Sequence, residues 1–170
     1  MDELLRRLDQ WVRAHRADYY PVLNPPATPA QLSKLEKVVG KPLPAEFHSL
    51  MQWKNGQPEG EYSALHPITN EMFMAISEII TTIKDMRELV KFGDISADLW
   101  KNTWIPFMSD GGGRHTCVDA ESGNVFIWDH EEETAPEVKY KTIREWLKDL
   151  LAVLDTKNFK EWDFDECPGK

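Results

Sequence analysis

Apolar residues recur at helical spacing through residues 2–18, where Leu4, Leu5, Leu8, Trp11, Val12 and His15 form one stripe and charged residues take the opposite side. Pro21, Pro25 and Pro26 end that helix, because proline has no N–H to continue it. A second helix starts at Thr28-Pro29-Ala30-Gln31. The threonine caps free N–H groups, proline suits the first helical position, and glutamine completes a capping box. Leu32, Leu35 and Val39 are its buried stripe and Gly40 its stop. A third helix begins at Pro44, buries Phe47, Leu50 and Met51, and ends at Asn55-Gly56, two residues that tolerate positive φ. Residues 57–70 carry little pattern, with a loop or short strand near Tyr62–Leu65. Met72–Ala75 suits a strand. Ser77 is the expected cap of a fourth helix bearing Ile79, Ile80, Ile83, Met86 and Val90, closed by Gly93.

The second half changes period. Trp104–Met108, Arg114–Asp119 and Asn124–Asp129 read as short strands, and Pro106 marks an edge or bulge position in the first. Turns at Ser109–Gly113 and Ala120–Gly123 join them into an antiparallel meander. Along the third strand Val125 and Ile127 face one way, Phe126 and Trp128 the other. Thr142-Ile143-Arg144-Glu145 is another capping box. It opens a helix whose inner side carries Ile143, Trp146, Leu147, Leu150, Leu151 and Leu154. Helices, a meander and a closing helix make a single-domain α+β fold with a central, mainly antiparallel sheet near 104–129. Phe159, Trp162 and Phe164 are the anchors of a polar tail.

Composition narrows the function. At 170 residues, 41% hydrophobic and 29% charged, the chain fits one ordinary globular core. Twenty-nine acidic against 20 basic residues leave a net charge of −9. Nucleic-acid binders need a positive footprint, and anionic membranes repel this surface, so neither is expected as a partner. A basic protein would be steered toward it. The start Met1-Asp2-Glu3-Leu4-Leu5-Arg6-Arg7 is neither a signal nor a transit peptide, and no apolar run is long enough to span a bilayer. Cys117 and Cys167 are too few for a disulfide framework, which points to a reducing, cytoplasmic setting.

Three segments, in order, carry a resemblance. The first is Thr28-Pro29 through Leu35-Glu36 and Gly40-Lys41-Pro42-Leu43-Pro44-Ala45-Glu46-Phe47 to Asn55-Gly56. The second is Trp104-Ile105-Pro106-Phe107, Asp110-Gly111-Gly112-Gly113 and Cys117-Val118-Asp119. The third is Gly123-Asn124-Val125-Phe126 before the helix at Thr142–Leu154. Together they resemble the SUKH superfamily, related to the fungal cell-wall assembly regulator. The resemblance spans roughly residues 28–154, with residues 1–27 as a helical extension and 155–170 as a polar tail. It implies a central antiparallel sheet packed with helices and no enzymatic activity. Bacterial members are mostly regarded as immunity proteins that bind and neutralise a toxin, commonly a nuclease; eukaryotic members resemble regulatory or scaffold modules. Residues 71–99 do not align readily with that pattern.

The chemistry agrees with a binding role and no cofactor. Asp110-Gly111-Gly112-Gly113-Arg114 reads as a hairpin turn, or as a backbone nest beside a binding cleft; its spacing matches neither a P-loop nor a dinucleotide fingerprint. His115 and Cys117 share a strand face, but two ligands make no structural zinc site. No nucleophile elbow is present and the five histidines are scattered. Residues 119–137 hold seven carboxylates and no Lys or Arg. They are either a solvated loop or a docking surface for a basic protein. On the second reading Asp119, Glu121, Asp129, Glu131, Glu132 and Glu133 steer the encounter, Trp128 and Trp53 are hydrophobic anchors at a rim or cleft, and Asp110 and Gly112 shape the cleft between them. The expected function is that of a toxin-neutralising immunity protein. The alternative is an intracellular regulatory or scaffold domain that binds an endogenous protein.

Overall fold

The computed structural model describes residues 1–156; Cys167 and the tail anchors Phe159, Trp162 and Phe164 lie outside them. The elements are α1 (Asp2–His15), α2 (Pro29–Val39), α3 (Ala45–Trp53), β1 (Met72–Phe73), α4 (Ile76–Phe92), β2 (Trp104–Ser109), β3 (Arg114–Asp119), β4 (Val125–Asp129), β5 (Val138–Tyr140) and α5 (Ile143–Thr156). The strands form one antiparallel sheet in the order β1-β2-β3-β4-β5. The expected three-stranded meander is therefore the middle of a five-stranded one.

Local signals act as expected at α2. Thr28 Oγ1 accepts from the Gln31 N–H at 3.3 Å, and Gln31 Oε1 accepts from the Thr28 N–H at 2.8 Å. At α5 the box is altered: Thr142 Oγ1 accepts from Glu145 N–H, but the Glu145 carboxylate reaches back one residue further, to the Lys141 N–H. Ser77 is not the cap of α4. The helix starts at Ile76, and its N–H is taken at 3.0 Å by Asn55 Oδ1, from the end of α3. Asn55 itself keeps negative φ, and only Gly56 turns the chain, at φ 63°. A Cβ on Gly56 would sit 2.3 Å from the Ala75 N, so glycine alone lets this corner pass beneath the start of α4.

Pro106 is an interior bulge and not an edge residue. β2 is flanked by β1 and β3, and its register with β3 slips between Pro106 and Met108. The sheet then has two unlike faces. On one, Ile105, Val118 and Val125 align across β2–β4 and enter the main core, where Phe107 meets Trp146 of α5 edge to face at 4.9 Å. Leu5, Leu8 and Val12 of α1 join that core, and α1 packs on α3 and α5. His15, placed on the apolar stripe by periodicity, is instead exposed and stacked on Trp11. The other face carries Trp104, Cys117, Phe126 and Trp128, which form a separate cluster with Met86 and Trp100. Among the described residues no helix is long and apolar enough to cross a membrane.

Candidate functional site

Pairing of Arg114 with Asp129 brings the β2–β3 turn and the β4–β5 loop to the same end of the sheet. In the turn, Asp110 Oδ1 accepts from the Gly112 N–H (2.8 Å) and the Arg114 N–H (3.0 Å), using the side chain to hold the glycine run closed. Gly113 has φ 105°, and a Cβ there would lie 2.3 Å from His130 Nδ1. The triple glycine thus lets the turn and the acidic loop touch. On the loop, Asp129 Oδ1 accepts from the Glu131 N–H at 3.0 Å and Asp129 O from the Glu132 N–H at 3.2 Å. Glu131, Glu132 and Glu133 are left exposed.

Facing this loop is the segment that leaves α4. Trp128 Nε1 donates to Leu99 O at 2.9 Å and ties the two together. Between them lies a cleft of about 420 Å³, lined by Ile95, Leu99 and Trp128 and by the carboxylates Asp94, Glu131, Glu132 and Glu133, with no lysine or arginine. Apolar surface bounded by one sign of charge concentrates field and attracts the opposite charge. Trp128 is only 5% exposed. Of the two positions the sequence left open, rim or cleft, the indole takes the cleft: it is held beneath the surface, stacked on His115 at 6.0 Å and edge to face with Trp100 at 5.4 Å. It lines the cleft as a fixed wall.

Beside the turn, on the sheet face shared with the main core, is a buried polar knot that sequence reasoning missed. Glu71, 2% exposed, accepts from Thr116 Oγ1 at 2.5 Å and Thr69 Oγ1 at 2.6 Å. Burial pushes its carboxyl above the usual range, and the two hydroxyls pull it part of the way back. His66 bridges to Glu71 through the backbone, and burial pushes its imidazole down to about 4, so it is neutral at pH 7. The Arg114 guanidinium donates to Thr69 O at 3.4 Å and lies 3.9 Å from Asp110. It also lines a second depression of about 390 Å³ with Ile127, Asp129, Glu132 and Glu137, so the acidic loop rims two hollows. The available signal was a carboxylate entering a strand at Glu71-Met72-Phe73, where half the side chains must point inward.

The ten residues singled out from sequence fall in three places. Asp110, Gly112, Trp128, Asp129, Glu131, Glu132 and Glu133 gather at one end of the sheet. Asp119 ends β3 and Glu121 follows it, at the far end of a strand of six residues and so roughly 17–20 Å away. There Asp119 accepts from Ser122 Oγ at 2.8 Å, and Glu121 pairs with Lys41 at 2.7 Å. Trp53 belongs to the helical side, stacked on Phe73 with its Nε1 donating to Asp9 at 3.0 Å. Among the described residues no three His, Cys, Asp or Glu side chains converge on a metal position. Cys117 is fully enclosed and its thiol is pushed well up by burial, which keeps it protonated and unreactive at neutral pH.

A curated relative, the SPbeta prophage-derived uncharacterized protein YokK of Bacillus subtilis (strain 168), is 27% identical over 131 residues, covering 68% of this chain and 67% of its own. The SMI1/KNR4 family (SUKH-1) matches residues 26–149. That span holds the α2–α3 pair, the whole five-stranded sheet and the first half of α5, and the helices-and-meander fold is the one the resemblance implied. The chain belongs to the SMI1/KNR4 family (SUKH-1).

Proposed function

We propose that the chain is a non-enzymatic binding domain, an immunity protein that neutralises a basic, nuclease-type toxin by covering it. The observation that carries this reading is the cleft at the turn end of the sheet. Carboxylates from two loops more than thirty residues apart, Asp94 and Glu131–Glu133, line one apolar hollow that no lysine or arginine enters. Such a surface accelerates encounter with a basic protein, and Trp128, Ile95 and Leu99 offer the desolvated contact that slows its escape. The tie from Trp128 to Leu99 holds both walls in place before binding, which lowers the ordering cost. Membership of a family that includes toxin-neutralising proteins agrees with this, as does a prophage-derived relative. Asp119, Glu121 and Trp53 stand apart from the cleft and are left out of it.

The test is capture of a partner by the tagged chain from its native organism, followed by direct binding and toxicity assays with that purified partner. A one-to-one complex that suppresses toxin activity is expected. Glu131→Ala, Glu132→Ala and Glu133→Ala combined should weaken it by about tenfold or more while leaving the fold intact. Full neutralisation by that triple variant would sink the assignment of the site.

A further inference from the structure

The segment that walls the acidic cleft has a second side of opposite character. Between the end of α2, the last turns of α4 and residues 97–102 lies a groove of about 570 Å³, lined by Arg87, Lys91, Asn102, Trp100, Val39 and Val90. No carboxylate lines it, although the chain carries 29 acidic residues. Arg87 donates from Nε to Asn102 Oδ1 at 3.0 Å and from one Nη to Asn102 O at 3.2 Å, which fixes the guanidinium and leaves its other Nη available. Neither Arg87 nor Lys91 has a carboxylate within ion-pair distance among the described residues. Burial lowers the Arg87 pKa, with no acidic neighbour to offset it.

A second feature of the groove also asks for an acceptor. Trp100 is 3% exposed, and its Nε1 is buried without a hydrogen-bond partner among the described residues. Its neighbour Trp128 has satisfied the same need through Leu99 O. Buried indole N–H groups are normally paired, and this one belongs to a wall of the same groove that Arg87 and Lys91 line without a carboxylate. The two indoles meet edge to face at 5.4 Å, so one aromatic pair separates an acidic cleft from a basic groove.

We propose that this groove is a docking site for a carboxylate-bearing segment of a protein partner. One free guanidinium nitrogen and one ammonium match a singly charged planar group better than a dianion, which calls for a fuller donor set. Apolar walls from Val39 and Val90, and the 72%-exposed Phe92 ring within 5.4 Å of the Lys91 ammonium, suit the side chains flanking such a carboxylate in a polypeptide. The site stands on residues that the acidic cleft does not use, so either can fail without the other.

The experiment follows the Trp indole N–H signals of the full-length, ¹⁵N-labelled chain by two-dimensional NMR. Trp100 is assigned with Trp100→Phe. The probe is the blocked tripeptide acetyl-Leu-Glu-Leu-amide, compared at matched ionic strength with its Gln counterpart and with sodium phosphate. A saturable shift of the Trp100 signal is expected with the Glu peptide, about tenfold weaker binding with the Gln peptide, and loss of the shift in Arg87→Gln. Lys91→Gln, at an exposed position that leaves the Arg87–Asn102 bonds intact, should weaken binding severalfold, which covers the case of an unstable Arg87 variant. Equal shifts from both peptides, no saturable shift at all, or tighter binding of phosphate than of the Glu peptide would each overturn the proposal.

Discussion

The two faces of the sheet solve different problems. The face toward α5 enters a core that draws aliphatic side chains from all five described helices, with Phe107 against Trp146 as its aromatic centre. The opposite face is indole-rich and, among the described residues, is roofed by Met86 and Val90 of α4 and by Ile95 and Trp100 after it. Aliphatic groups ask nothing of their neighbours except contact, whereas each buried indole N–H needs an acceptor. Trp128 finds one in a loop carbonyl and so fixes a wall of the acidic cleft; Trp100 finds none among the described residues. The first face specifies the fold. The second holds in position the loops that line the acidic cleft.

If that division is right, damage to the first face should appear as lost stability and damage near the second as lost recognition. Trp146→Ala has the largest expected effect, about 3–5 kcal/mol of destabilisation in urea unfolding. Partner affinity per folded molecule should be unchanged, and a parallel loss of affinity would break the comparison. Gly113→Ala comes next, at about 1–3 kcal/mol, because its φ of 105° is closed to a residue with a Cβ. The exposed His130 ring can swing out of the way, so the cost should persist in a Gly113→Ala, His130→Ala double variant. Recovery in the double variant would show that contact, not backbone strain, sets the cost.

The smallest stability effect sharpens the comparison through pH. The Glu71 carboxyl is raised by burial, so the folded state takes up its proton at a higher pH than the unfolded chain. Its burial penalty is full above the folded pKa and is relieved as pH falls. Glu71→Gln should therefore stabilise the protein most near pH 7, with the advantage shrinking toward acid. His66 works in the other direction. With a folded pKa of about 4 against an ordinary 6.5, it contributes stability that is lost as pH drops through that window. Thermal melts of the His66→Gln variant should show a shallower acid loss than the parent between those values.

What could be read from sequence divides along the same physical line. The Thr28–Gln31 box and the period-2 strands are local, and the structure keeps them. Asn55 caps α4 from 21 residues away, and Thr116 binds Glu71 across 45, so no local window contains either partner. Alternation placed Phe126 and Trp128 on a shared face but could not say that the α4 exit would cover it, and so rim and cleft both stayed open for the indole. The Asp110–Arg114 turn was legible as a turn; its contact with the acidic loop depended on the Arg114–Asp129 register, which only the paired sheet supplies.

The central claim is that the acidic end of the sheet is what meets a basic partner. Stopped-flow association with the purified partner captured from the native organism, from about 0.05 M to about 0.5 M NaCl, measures this most directly. The parent chain should bind fast at low salt and slow by more than about tenfold across the range, while the combined Glu131→Lys, Glu132→Lys, Glu133→Lys variant should start slower and stay nearly flat. Identical rates and identical salt slopes for the two proteins would contradict the account.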